Sequence, residues 1–223
     1  SNNELTKNFA YNGGAIYLYQ TGFSTLKNNL FTNNVATNIG GAVRINMDNS
    51  NSKTTISENN FKNNTSPNTC ALHIVGGNAE VNTNEFDNNK ATQGSAGSIH
   101  FNGNSVQILN NNITNTNAKT NGGAIVIKTG TSMTIKSNNI ANAKATTGGA
   151  IHIETGKATI DSNNFTQCSA TAKGGAIKAD TTVTITGNNF KDNNADDKGS
   201  DIFIYPNNGD NSQVKNNDFK TYT

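Results

Sequence analysis

Residues 122–177 read GGAIVIKTGTSMTIKSNNIANAKATTGGAIHIETGKATIDSNNFTQCSATAKGGAI, and the tetrapeptide GGAI recurs in them at 122, 148 and 174. Between the copies an Asn stands two residues before a large apolar residue, Asn138 before Ile140 and Asn163 before Phe165. Five residues further on comes an Ala, Ala145 and Ala170. The pieces AIVI, MTI, AIHI and ATI alternate apolar and polar residues and are rich in Ile and Thr, the pattern of short strands with one buried face. Gly and Asn pairs separate them as turns. Nothing in the stretch has helical period.

Outward from this stretch the unit fills the chain. GGAI stands at 13–16 and GGAV at 40–43, with degenerate copies TCAL at 69–72, AGSI at 96–99 and GSDI at 199–202. These are eight copies spaced 25 to 29 residues apart. In phase with them run Asn3, Asn29, Asn59, Asn84, Asn111, Asn138, Asn163, Asn188 and Asn217. The apolar column beside them is Leu5, Phe31, Phe61, Phe86, Ile113, Ile140, Phe165, Phe190 and Phe219. A second Asn column, Asn8, Asn34, Asn64, Asn89 and Asn193, is interrupted by Thr116, Ala143 and Cys168.

Composition narrows the classes. Of 223 residues 44 are Asn and 29 are Thr, charged residues are 14% and the net charge is +2. Hydrophobic content is 32% and mean hydropathy −0.61, and Ile, Leu, Val and Phe together make up about 19%, near the ~20% border of disorder. The order of the residues decides against disorder, which has no reason to keep Phe and Asn in register. No apolar run approaches the ~18 residues of a membrane helix. A near-neutral chain without basic clusters argues against nucleic acid as the main partner. The unit suits one rung of an all-β parallel β-helix, a single solenoid domain of about eight rungs over residues 1–223. Like residues then stack ~4.8 Å apart. Phe and Ile fill the interior. The Asn column Asn29, Asn59, Asn84, Asn111, Asn138, Asn163, Asn188 and Asn217 forms an amide ladder that satisfies turn backbone. Glycine pairs serve corners that need positive φ or close approach.

The alternating GGAI motifs (Gly13 to Ile16, Gly122 to Ile125, Gly148 to Ile151, Gly174 to Ile177) and FxxN motifs (Phe31 to Asn34, Phe61 to Asn64, Phe86 to Asn89, Phe190 to Asn193) resemble two families. One is the chlamydial polymorphic outer membrane proteins, the other the adhesin-like surface proteins of methanogenic archaea. The resemblance implies a right-handed parallel β-helix exposed on a cell surface, an extracellular rod for adhesion to a glycan or protein of another cell. No membrane insertion by this segment is expected. With no leader, anchor or capping helix in sight, the stretch reads as a segment of a longer surface protein. Cys70 and Cys168 fall about four rungs apart, too far for a disulfide, and are expected as free thiols.

The residues between the inward Ile positions of GGAIxI read Tyr17, Arg44, His73, His100, Val126, His152, Lys178 and Phe203, and two residues on Tyr19, Asn46, Val75, Asn102, Lys128, Glu154, Asp180 and Tyr205. These columns are expected on the solvent side of one strand. They make Tyr17, Tyr19, Arg44, His73, His100, His152 and Glu154 the candidate binding face, aromatic rings and imidazoles being suited to stacking on sugars. His73 and His100, on neighbouring rungs, invite a metal, but no third ligand is evident and neither metal nor cofactor is expected. Glu154 and Asp180, beside His152, Lys128 and Lys178, carry the alternative of a polysaccharide-active β-helix enzyme, a lyase or glycosidase. The flanking lysines favour simple ion pairing, and no catalytic residue is assigned.

Overall fold

A computed structural model describes residues 1–206 and 211–220. Every element in it is a β-strand, and no helix is long and apolar enough to cross a membrane among the described residues. One rung holds four short strands, illustrated by the second: Leu30–Thr32, Val35–Ile39, Val43–Met47 and Lys53–Ser57. These belong to sheets A, B, C and D respectively. Sheet A has nine strands and the other three have eight each. All pairings are parallel and each joins one rung to the next, so the chain is a right-handed β-solenoid of about eight turns.

The register is the one the repeat demands. Phe31 pairs with Phe61, Phe61 with Phe86 and Phe86 with Ile113 in sheet A. The Phe rings stack at 4.7 Å between centroids, within 6° of parallel. Phe165 and Phe190 repeat the stack at 5.0 Å. The core is a continuous axial column of Phe, Ile, Val, Leu and Ala from sheets A, C and D, and the sheet B alanines Ala91, Ala118 and Ala145 form a smaller cluster with Cys70. Burying each large side chain stabilises by roughly 1.5–3 kcal/mol relative to exposure.

Two of the four corners are built by asparagine. Entering sheet A, the residue before the ladder Asn takes a left-handed conformation, as at Asn28 (φ 54°), Asn110 (φ 54°) and Ser137 (φ 56°). Such a φ disfavours most side chains by ~1–2 kcal/mol. The next residue compensates. Asn111 Nδ2 donates to Asn138 Oδ1 at 3.0 Å and Asn111 N–H donates to the same oxygen at 2.9 Å. Asn138 repeats both bonds to Asn163 at 2.9 Å. The ladder is unbroken from Asn3 to Asn217. The second ladder, between sheets A and B, runs from Asn8 through Asn34 and Asn64 to Asn89. It stops at Thr116, whose buried hydroxyl has no partner among the described residues, and the fold continues across the gap.

The B-to-C corner divides its two glycines between two tasks. The first takes positive φ, as Gly40 (φ +69°) and Gly148 (φ +58°) do. The second allows close approach: a Cβ on Gly149 would lie 2.0 Å from the Gly175 carbonyl oxygen of the next rung. Cys70 and Cys168 are both free and buried, and burial pushes each thiol up to about 12, so neither is a nucleophile.

Candidate binding face

The proposed face lies on sheet C, and the structure corrects its exposure. His73, His100 and His152 are only 6%, 5% and 3% exposed, and Val126 is fully buried. The register itself is as expected: Tyr17 pairs with Arg44, Arg44 with His73, His73 with His100, His100 with Val126 and Val126 with His152. Period-two alternation correctly turns these residues away from the Ile core. What covers them is the glycine corner of their own rung, which folds back over the strand. A Cβ on Gly40 would sit 3.2 Å from Arg44 Cβ, one on Gly148 3.3 Å from His152 Cβ, and one on Gly122 2.5 Å from Val126 Cγ2. In the third rung Thr69 occupies this corner, and its hydroxyl lies 2.9 Å from His73 Nδ1.

The imidazoles are therefore part of a packed inner layer. His73 and His100 stack at 4.5 Å with 14° between ring planes. Stacked rings aim their nitrogen lone pairs sideways, away from any point between them, so the pair does not converge on a shared ion. No group of three or more His, Cys, Asp or Glu that could hold a metal occurs among the described residues. Burial, with the neighbouring His100 and Arg44 charges, holds His73 well below its usual pKa, and burial with Lys128 lowers His100 to about 4. Both are neutral near pH 7. His100 Nδ1 has no partner among the described residues, because its corner residue is Ala96, without the hydroxyl that Thr69 offers His73.

At the other end of the sheet the polar groups close on one another. Asp180 Oδ2 lies 2.7 Å from His152 Nε2 and 2.5 Å from Lys178 Nζ. Burial alone would raise the Asp180 pKa, but hydrogen bonds from Lys178 and His152 outweigh it and keep the carboxyl ionised. Burial lowers His152 despite its bond to Asp180. Glu154 pairs with Lys128 at 3.4 Å. A register shift sets Asn102 opposite Thr129, so Lys128 leaves the column in which the repeat alignment puts it. Lys178 and Asp180, outside the candidate set, form the tightest polar cluster on the sheet. Their signal in the sequence is an opposite-charge pair two residues apart on one strand face, one rung after a histidine.

Of the seven candidate residues, Tyr17 and Tyr19 are exposed (42% and 63%) and Arg44 is half-buried. Tyr17 and Tyr19 pack edge to face at 5.9 Å, and the Arg44 guanidinium lies 5.2 Å from the Tyr17 ring centre. The face is thus three different surfaces: an aromatic and guanidinium cluster, a buried imidazole stack, and a closed salt-bridge cluster.

The family described as "Right handed beta helix region" matches residues 97–222 of this chain, more than half of it. No curated protein and no solved structure matches.

Proposed function

We propose that this chain, which belongs to the right-handed β-helix family, is the rod of a cell-surface adhesin, holding a binding surface out from the cell toward a glycan or protein of another cell. The observation that carries this reading is the uniformity of the rungs. From Glu4 to Ile204 no connection between successive strands exceeds the seven residues 92–98, and polysaccharide-cleaving sites need walls. The carboxylates that alignment suggested for catalysis support the same reading. Glu154 is held by Lys128, and Asp180 by Lys178 and His152. The resemblance of the GGAI and FxxN units to surface adhesins agrees, and with it an extracellular location.

The test is a binding array of purified glycans and of intact cells probed with the purified chain, with the heat-unfolded chain as control. Saturable binding by the folded chain alone is the expected outcome. Depolymerisation of a polysaccharide, lost in Glu154→Gln, would move the chain to the alternative class of polysaccharide-active β-helix enzymes.

A further inference from the structure

Between Asp87 and Glu154 the chain contains five lysines and no carboxylate: Lys90, Lys119, Lys128, Lys136 and Lys144. Two of the five find acids on the following rung, Lys128 with Glu154 at 3.4 Å and Lys136 with Asp161 at 2.8 Å. The other three all fall on the outer side of sheet B. Lys90 leads its strand at Lys90–Ala91, Lys144 leads Lys144–Thr147, and Lys119 directly follows Asn117–Ala118. All three are exposed and none has a carboxylate partner among the described residues. Elsewhere most of the strand lysines of sheets A, C and D pair with acids, as Lys62 with Asp87, Lys178 with Asp180 and Lys53 with Glu80. From Lys90 to Thr171 sheet B is left positive, while Asp196 and Asp197 follow its last strand, Asn194–Ala195.

The lysines stand along a shallow polar groove. Asn88, Asn115, Asn117 and Asn142 line it beside Lys90 and Lys144. It continues past Lys119 to Thr146, Ser169 and Thr171. The amide and hydroxyl groups are hydrogen-bonding partners without charge, and the floor is flat strand.

We infer that the sheet B groove binds a linear acidic polysaccharide, one carrying a carboxylate or a sulfate ester on each sugar or every second sugar, laid along the rod axis. This rests on the adhesin reading and gives its ligand a chemical class and a place. Spacing decides between polyanions. Rungs repeat every ~4.8 Å, and the groove offers one lysine on each of three successive rungs. Duplex DNA presents a charge every ~1.7 Å of axis and draws on many more cations. Single strands call for aromatic platforms interleaved with the cations, and sheet B has none from Lys90 to Thr171. A sugar unit spans about one rung, so a uronate or sulfated chain matches both the spacing and the hydroxyl-rich lining.

The test compares the whole chain with Lys90→Gln/Lys119→Gln/Lys144→Gln and with Lys27→Gln/Lys53→Gln/Lys136→Gln, which removes equal charge from sheet D. Probes are sodium alginate, dextran sulfate, neutral dextran and oligo-dT, at two salt concentrations, with circular dichroism and melting confirming that both variants fold. Expected is salt-sensitive binding of alginate or dextran sulfate, weakened at least tenfold by the sheet B variant and less than twofold by the sheet D variant. Which of the two polymers binds more tightly separates carboxylate from sulfate recognition. Equal weakening by both variants, tighter binding of oligo-dT, or no binding of either acidic polymer each overturns the inference. The same variants on intact cells separate the two readings: cells held equally by wild type and the sheet B variant would sink the groove while leaving the adhesin standing. Cells held by neither folded protein would remove the adhesin reading itself.

Discussion

Burial holds His73, His100 and His152 in the neutral form, and this ties stability to acidity. An unfolded histidine titrates near 6.5, whereas folded His100 titrates at about 4 and folded His73 well below its usual value. Between those values the unfolded chain binds more protons than the folded one. Stability is therefore complete above pH ~6.5 and declines as pH falls toward 4. For His100 the full span is worth about 3 kcal/mol. Urea midpoints at pH 7 and pH 4.5 should show the loss, and His100→Val should reduce it, because Val126 fills the equivalent buried place one rung on. An identical drop in the variant would mean that other groups govern the acid response. The columns holding these residues were legible from alternation alone. Their burial was not, because period two reports which side of a strand a residue takes, and not whether that side is covered. The cover is the corner residue four positions earlier, Thr69 before His73, Ala96 before His100 and Gly148 before His152, a local spacing that periodicity ignores.

At the level of the corner, two glycines that look alike in sequence are under different constraints. A Cβ on Gly149 meets backbone on two sides, 2.0 Å from Gly175 O and 2.6 Å from Ser169 O. Neither atom can move without parting two rungs. Gly149→Ala should destabilise by more than ~3 kcal/mol, in the range of the severe core substitutions. Gly187 has the positive φ (+65°) that Gly149 lacks, and a Cβ there meets nothing nearer than the Asp161 side chain at 3.3 Å and the Ser162 hydroxyl at 3.5 Å. Gly187→Ala should cost only the left-handed penalty, about 1–2 kcal/mol. Denaturation midpoints of the two variants give the comparison; equal losses would show that the close approach at Gly149 costs no more than the left-handed φ at Gly187. Strands, corners and both ladders were readable because each is a column, repeated until chance is excluded. The register slip at Phe101 and Asn102 was not readable, since one residue more or less in a polar loop leaves the columns on either side intact. Nor was the positive face of sheet B, since it depends on which lysines meet an acid one rung away.

As a whole molecule the solenoid stabilises itself by neighbours only, so its stability is a sum of rungs and interfaces. The rungs are unequal. In the first, Leu5, Ile16, Leu18 and Leu26 are only half-buried, whereas Ile99, Ile108, Ile125 and Ile135 in the middle are completely enclosed. Amide exchange should accordingly be at least a hundredfold slower in the fourth to sixth rungs than in the first, because opening free energies rise with the number of packed neighbours. Uniform protection along the rod would show instead that it opens only as one unit. The asparagine ladder has a further consequence, for how such a protein changes length. Asn84 makes to Asn111 the bonds that Asn111 makes to Asn138. One whole period can therefore be duplicated or excised and the severed partners will rejoin without a vacancy. Recombination between near-identical repeats moves such a rod in integer steps of a rung, and an insertion of any other size must be looped out where no ladder runs, as residues 48–52 already are.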